Sequence, residues 1–312
     1  MHASLHALTA ELKRLKASGV KSLPVSDESL AMLKVVLATR GKSSLAAAPP
    51  TPTAAAVPAK SEPAVVPVFQ TPTRTFTVKP APAPEIILPD PVPFTLPPGD
   101  KGAQWADLKE RVLTDPVCRG QVKPGKQIVF GVGSLDAKIM FVGEAPGADE
   151  EVEGEPFVGA AGQLLNKMIT AMGLKRADVY ISNIMNWRPA LPADASGVQY
   201  GNRPPTPREL AYCLPYLKAQ IEVVKPALLV ALGSTAAHGL LGAGTFKTLG
   251  EIRGQWKEFA GNPLMVTYHP SYILRNQSNQ SKRLIWEDLL KVMERAALPV
   301  SDKQRGFFLD RG

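Results

Sequence analysis

Between Gly143 and Gly159 the chain sets carboxylates among glycines, prolines and one aromatic ring. The run is Gly143-Glu144-Ala145-Pro146-Gly147, then Asp149, Glu150 and Glu151, then Gly154-Glu155-Pro156-Phe157-Val158-Gly159. Carboxylates held in such a loop can position a water, and a lone aromatic between small residues can cover a flat ring. Asn183 ends a later apolar run, and an amide there offers both a donor and an acceptor to one edge of a base. Gly233-Ser234-Thr235 opens a helical pattern, where exposed backbone amides can hold a phosphate. His269 begins His269-Pro270-Ser271-Tyr272-Ile273-Leu274-Arg275, an imidazole ahead of a proline-fixed turn. Each position also has a plain structural reading: an acidic surface loop, a turn-capping Asn, a buried His.

The elements that must position these residues alternate. Apolar runs at 139–142, 179–184, 227–232 and 264–268 have strand length, with a further short strand expected at 127–130. Helical periodicity falls at 104–113, 161–172, 207–225, 234–241 and 281–297. Thr206-Pro207-Arg208-Glu209 is a capping box with proline at the first helical position, and Pro215 should bend the helix that follows. Strands alternating with helices imply a four-stranded parallel sheet covered on both faces, a three-layer α/β/α domain. Loops leaving the carboxyl ends of such strands are where ligands bind, and all four candidate stretches are such loops.

Around this domain, expected over residues 101–298, the chain changes character. Residues 1–45 carry the spacing of two short amphipathic helices and could serve as a small docking module. Between Pro49 and Pro98 lie 15 of the chain's 30 prolines, a composition that favours an extended linker over 46–100. Residues 299–312 have the look of a mobile tail. The net charge of +8 suits an acidic partner such as nucleic acid. Two cysteines, Cys118 and Cys213, make no disulfide framework and fit a reducing cytoplasm. No apolar run approaches the roughly 18 residues of a membrane span, and no membrane association is expected.

The run from Gly143 to Gly159 resembles the signature of the family 4 uracil-DNA glycosylases: Gly-Glu-(Ala/Gly)-Pro-Gly, two residues, an acid, then Gly-x-Pro-Phe-Val-Gly. Asn183, the Leu232-Gly233 step and His269-Pro270-Ser271 fall where the family has its later motifs. The resemblance covers about residues 110–295 and none of 1–100. It implies hydrolysis of the N-glycosidic bond of uracil in DNA by a monomeric repair enzyme, with residues 1–100 open to a protein partner. Gly143 and Phe157 would bound the pocket, Phe157 stacking on a flipped base, and Asn183 would pair with O4 and N3–H. A neutral His269 would donate to O2 of the leaving base. Glu144 or Glu150, with Asp149 a third candidate, would hold the attacking water. Ile273 and Leu274 would wedge into the vacated stack. Ser234, Ser271, Arg275, Lys282 and Arg283 would meet the DNA backbone. The alternative is a binding module of the same fold without turnover.

Two departures stand out. Family members usually hold a 4Fe–4S cluster on four cysteines. Here Cys118 and Cys213 match two of them, while Asp115 and Trp187 take the other places. Two thiolates do not complete the ligand set, so no cluster is expected, and packing around Trp187 could replace its structural role. The second departure is a longer loop between Trp187 and Pro204. A related class that is trapped covalently on uracil-DNA carries a reactive His there, and residues 188–203 contain none.

Overall fold

The computed structural model describes residues 88–191, 199 and 201–309. The helical segment expected at 1–45 and most of the linker lie outside these residues, as does most of the inserted loop.

Helix α1 (Lys101–Thr114) starts where the Asp100 side chain accepts from the Ala103 N–H, and α2 (Pro116–Gln121) follows with Asp115 as its cap. Then come β1 (Val132–Gly133), β2 (Ile139–Gly143), the single turn α3 (Glu150–Glu153), α4 (Ala160–Ala171) and β3 (Tyr180–Asn183). Helix α5 (Pro207–Val224) carries the expected Thr206–Glu209 capping box, and Pro215 sits inside it. The chain continues through β4 (Leu228–Leu232), α6 (Ser234–Leu241), α7 (Leu249–Ile252), β5 (Trp256–Phe259) and β6 (Asn262–Thr267). It closes with α8 (Pro270–Arg275), α9 (Asn279–Arg295) and α10 (Asp302–Arg305).

The sheet order is β1-β3-β2-β4-β6-β5. Its four inner strands are parallel, as expected. Burial explains the apolar runs: β2 and β4 are buried along their whole length, as strands covered on both faces must be. Ile139 and Phe141 face α4 and α9, packing with Leu165, Ile169, Leu289 and Met293. Met140 and Val142 face α5 and α6, packing with Leu217, Ile221 and Leu240. Among the described residues no helix is long and apolar enough to cross a membrane.

Both edge strands are antiparallel additions. The stretch 127–130 is not a strand; Ile128, Val129 and Phe130 are buried side chains on irregular backbone, tied to the fold by the Val129 N–H donating to Asn186 O at 2.8 Å. Apolar content there serves burial under α1 and α5 rather than a ladder. Strand β5 forms a two-residue hairpin with β6 through Ala260 and Gly261, whose φ angles of 50° and 75° suit a tight turn. An Ala in the first left-handed position hides the usual signal.

The domain also takes in more chain than 101–298. Leu88 is buried against Trp187 and Tyr212, with its carbonyl accepting from Arg208 Nε and Nη2 at 2.9 and 2.7 Å. Phe94 stacks on Tyr216 at 5.4 Å, so the segment from Leu88 on is part of the fold rather than linker. The expected tail is likewise packed: Phe307 lies against Trp286, whose Nε1–H donates to Gln304 O, and Arg283 Nη1 donates to the carbonyls of Arg305 and Phe307. The indole supplies both apolar area and a donor that only this segment satisfies. Ending the chain at Leu298 should therefore cost about 2–4 kcal/mol, from exposed aromatic surface and orphaned donors. Chemical denaturation of the shortened protein would measure it.

Candidate active site

In the strand order β3-β2-β4 the connections leave β2 and β4 on opposite sides, so a crevice opens at their carboxyl ends. A cleft of about 660 Å³ lies there, lined by Glu144, Phe157, Asn183, Ser234, Thr235, His269, Ser271 and Arg275 among others.

Register puts Gly143, the last residue of β2, beside Asn183, the last of β3. A Cβ on Gly143 would overlap Asn183 Oδ1 and lie 2.6 Å from the Phe157 ring. Only glycine lets the amide and the ring converge over it. Asn183 is 5% exposed and lines the cleft, and among the described residues its amide makes no hydrogen bond. Phe157 has φ 55°, a left-handed backbone rare for a bulky residue. Its ring centroid lies 5.5 Å from that of His269 at an interplanar angle of 32°.

His269 caps α8 with its ring: Nδ1 accepts from the Ser271 N–H at 3.2 Å and lies 2.9 Å from Ser271 Oγ. An accepting Nδ1 leaves the proton on Nε2. Burial, with Arg275 adding repulsion, pushes the imidazole pKa down to about 4, so the ring is neutral at physiological pH. The folded value lies below the unfolded one. This contribution to stability is therefore present above about 6.5 and is lost as the pH falls towards 4.

The three acidic candidates separate. Glu150 braces the loop: Oε2 accepts from the Gly147 N–H at 3.0 Å, and Oε1 from the Val158 and Gly159 N–H groups at 3.1 and 3.0 Å. A carboxylate collecting three backbone donors braces its loop, and Glu150 also lines the cleft. Asp149 is exposed. Glu144 is mostly buried at the cleft, where desolvation raises its pKa and the neighbouring Thr235 partly offsets the rise.

Of the residues expected at DNA, Leu274 is 41% exposed and Arg275 is exposed beside the cleft. Ile273 is 6% exposed and belongs to the core. A six-residue helix turns only one of two adjacent aliphatics outward, so Ile273 is no wedge. Arg283 is engaged within the fold, Nε meeting Glu287 at 2.9 Å and Nη1 donating to two carbonyls. Ser271 is turned to His269. Lys282 is half-buried on α9, and Ser234 stands exposed at the first turn of α6, which has no side-chain cap.

The family model for the uracil DNA glycosylase superfamily matches residues 130–290, over half of the chain. The chain belongs to this superfamily. It is 42% identical to the type-4 uracil-DNA glycosylase of Thermotoga maritima over 165 residues, covering 53% of this chain and 80% of that protein. Over 152 residues it is 42% identical to the type-4 enzyme of Archaeoglobus fulgidus, covering 47% and 71%. The type-4 enzyme of Sulfurisphaera tokodaii is 36% identical over 201 residues, covering 62% and 84%.

The position of the 4Fe–4S cluster usual in family 4 can be tested on side chains. Cys118 and Cys213 are buried in one apolar group with Trp187, Tyr212 and Tyr216. Burial in this apolar group pushes both thiol pKa values up. Asp115 accepts from the Cys118 N–H at 2.7 Å, from Tyr212 Oη at 2.9 Å and from Tyr216 Oη at 2.8 Å, and the Trp187 indole is 1% exposed. Among the described residues no group of three or more His, Cys, Asp or Glu could hold a metal. These residues do not fit a 4Fe–4S cluster.

Sequence reasoning missed two arginines that shape the cleft. Arg188, nearly buried, bonds Glu151 Oε1 at 2.8 Å and Asn202 Oδ1 at 2.8 Å, tying the base of the inserted loop to α3. Arg176 reaches back to the Phe157 loop. Neither has a local pattern, since both act across the fold. In nitrogen-detected NMR, His269 should remain a neutral Nε2–H tautomer from pH 8 down to 5.

Proposed function

We propose that the protein hydrolyses the N-glycosidic bond of uracil in DNA, releasing free uracil and leaving an abasic site. The observation that carries this reading is the convergence of an unpartnered Asn183 amide, the Phe157 ring and a neutral Nε2–H imidazole in one cleft.

Uracil inside a duplex is unreachable and must be flipped out, at a cost of a few kcal/mol. Phe157 stacks on the flipped base. Asn183 donates to O4 and accepts from N3–H; cytosine presents the reverse pattern and would leave a buried amide unsatisfied, a penalty of about 1–3 kcal/mol. As the bond to the sugar breaks, the electron pair leaves with the base and charge grows on O2. The His269 Nε2–H donates to it from a preorganised position. Glu144 holds the water that adds to the sugar carbon, and its carboxylate faces the positive charge developing there. A raised pKa moves a carboxylate towards the range where it is an effective base. Leu274 enters the vacated stack and Arg275 meets a phosphate. Every step rests on this chain's side chains. The packed Trp187, Tyr212 and Tyr216 stand in for the cluster as structure.

Uracil release from an oligonucleotide with one uracil tests the reading. Asn183→Ala and His269→Ala should each lose at least about 100-fold, the scale of a lost positioned donor. The acid limb of kcat/KM should lie above the ordinary carboxylate range and disappear in Glu144→Gln. Uracil-specific binding without release by the wild-type protein would favour the binding module instead.

A further inference from the structure

Resting on that reading, we infer that Arg176 is a positioning residue of the uracil pocket, setting the height and tilt of the Phe157 ring from the turn that precedes β3. Arg176 opens the 3-10 turn Arg176–Asp178, directly ahead of the strand that ends in Asn183. Its guanidinium reaches from that turn to the backbone of the Phe157 loop. Nη2 donates to Pro156 O at 2.6 Å, and Nη1 donates to Phe157 O at 3.2 Å and to Asn166 Oδ1 at 3.1 Å. The planar fork thus spans two successive carbonyls and an amide of α4, which a lysine ammonium cannot reproduce.

The geometry at Phe157 needs such a hold. Its left-handed backbone, φ 55°, is of a kind that persists only where surroundings over-determine it. The Phe157 carbonyl is held on one side and closely packed on the other. Arg176 bonds it, and a Cβ on Gly162 would overlap the same oxygen. Burial would weaken the guanidinium's hold on its charge, and Glu155 and Glu150 oppose that by attraction. The residue therefore joins the ring that stacks to the strand whose amide reads the base edge. Its distance from the chemistry is no protection, because a misplacement of about 1 Å in such a frame can cost about 100-fold in rate.

The test compares wild type, Arg176→Lys and Arg176→Ala by single-turnover uracil release, inhibition by free uracil, and thermal melting. Both variants should melt cooperatively and lose about 10–100-fold in kcat/KM. Inhibition by free uracil should weaken in parallel, a change that a merely structural role would not produce. Guanidinium at low millimolar concentration should partly rescue Arg176→Ala and leave Arg176→Lys unmoved. Gly162→Ala, which displaces the same carbonyl, should repeat the weakened uracil inhibition. Wild-type rates and uracil inhibition in Arg176→Lys would overturn the inference. So would loss of the folded state in both Arg176 variants, which would make the arginine a fold residue. An inactive wild type would instead remove the glycosylase reading itself.

Discussion

Phe157 can lie across the cleft only because two neighbours have no side chain. Gly143 leaves room for its ring and Gly162 leaves room for its carbonyl. The rest of the β2–α4 loop is built around that placement. Glu150 gathers the Gly147, Val158 and Gly159 N–H groups into one carboxylate, and Arg176 gathers the Pro156 and Phe157 carbonyls into one guanidinium. A strained backbone conformation is thereby held by charge-assisted bonds on both sides. The rigidity has a use, since a stacking surface that shifted would not hold a base against its reader.

The sheet sets the second condition. Parallel strands end together, so Glu144, Asn183, Thr235 and His269 come from four loops to one place without any being near another in sequence. Burial there drives both titrating groups towards their neutral forms, His269 downwards and Glu144 upwards. For His269 this yields a donor that loses no charge to solvent. For Glu144 it yields a carboxylate more basic than one in water. In the proposed reaction, that one environment would prepare a donor for the leaving base and a holder for the water.

Much of this was legible in the chain. Strands fully buried on both faces announce themselves as apolar runs, and the helix α5 capping box marks its own start. The loops after β2, β3, β4 and β6 could be picked out because glycine, proline and polar residues follow each run. What stayed hidden depends on long-range partners. Nothing local shows that Glu150 gathers three backbone amides while Glu144 does not. Ile273 and Leu274 are chemically alike, and only the orientation of α8 buries one and exposes the other. Trp256–Phe259 becomes a strand because β6 offers an edge. Leu88 and Phe307 lie in stretches whose composition suggests no core, yet each fills a hollow that the domain alone leaves open.

The claim that most needs testing is that this superfamily member works with Trp187, Asp115 and two tyrosines in place of a cluster. Uracil release and iron content should be measured on one preparation, before and after exhaustive chelation. Full single-turnover activity with far less than one iron per chain, unchanged by chelation, is the result expected. Activity that rises and falls with bound iron would contradict the account and return Cys118 and Cys213 to service as ligands.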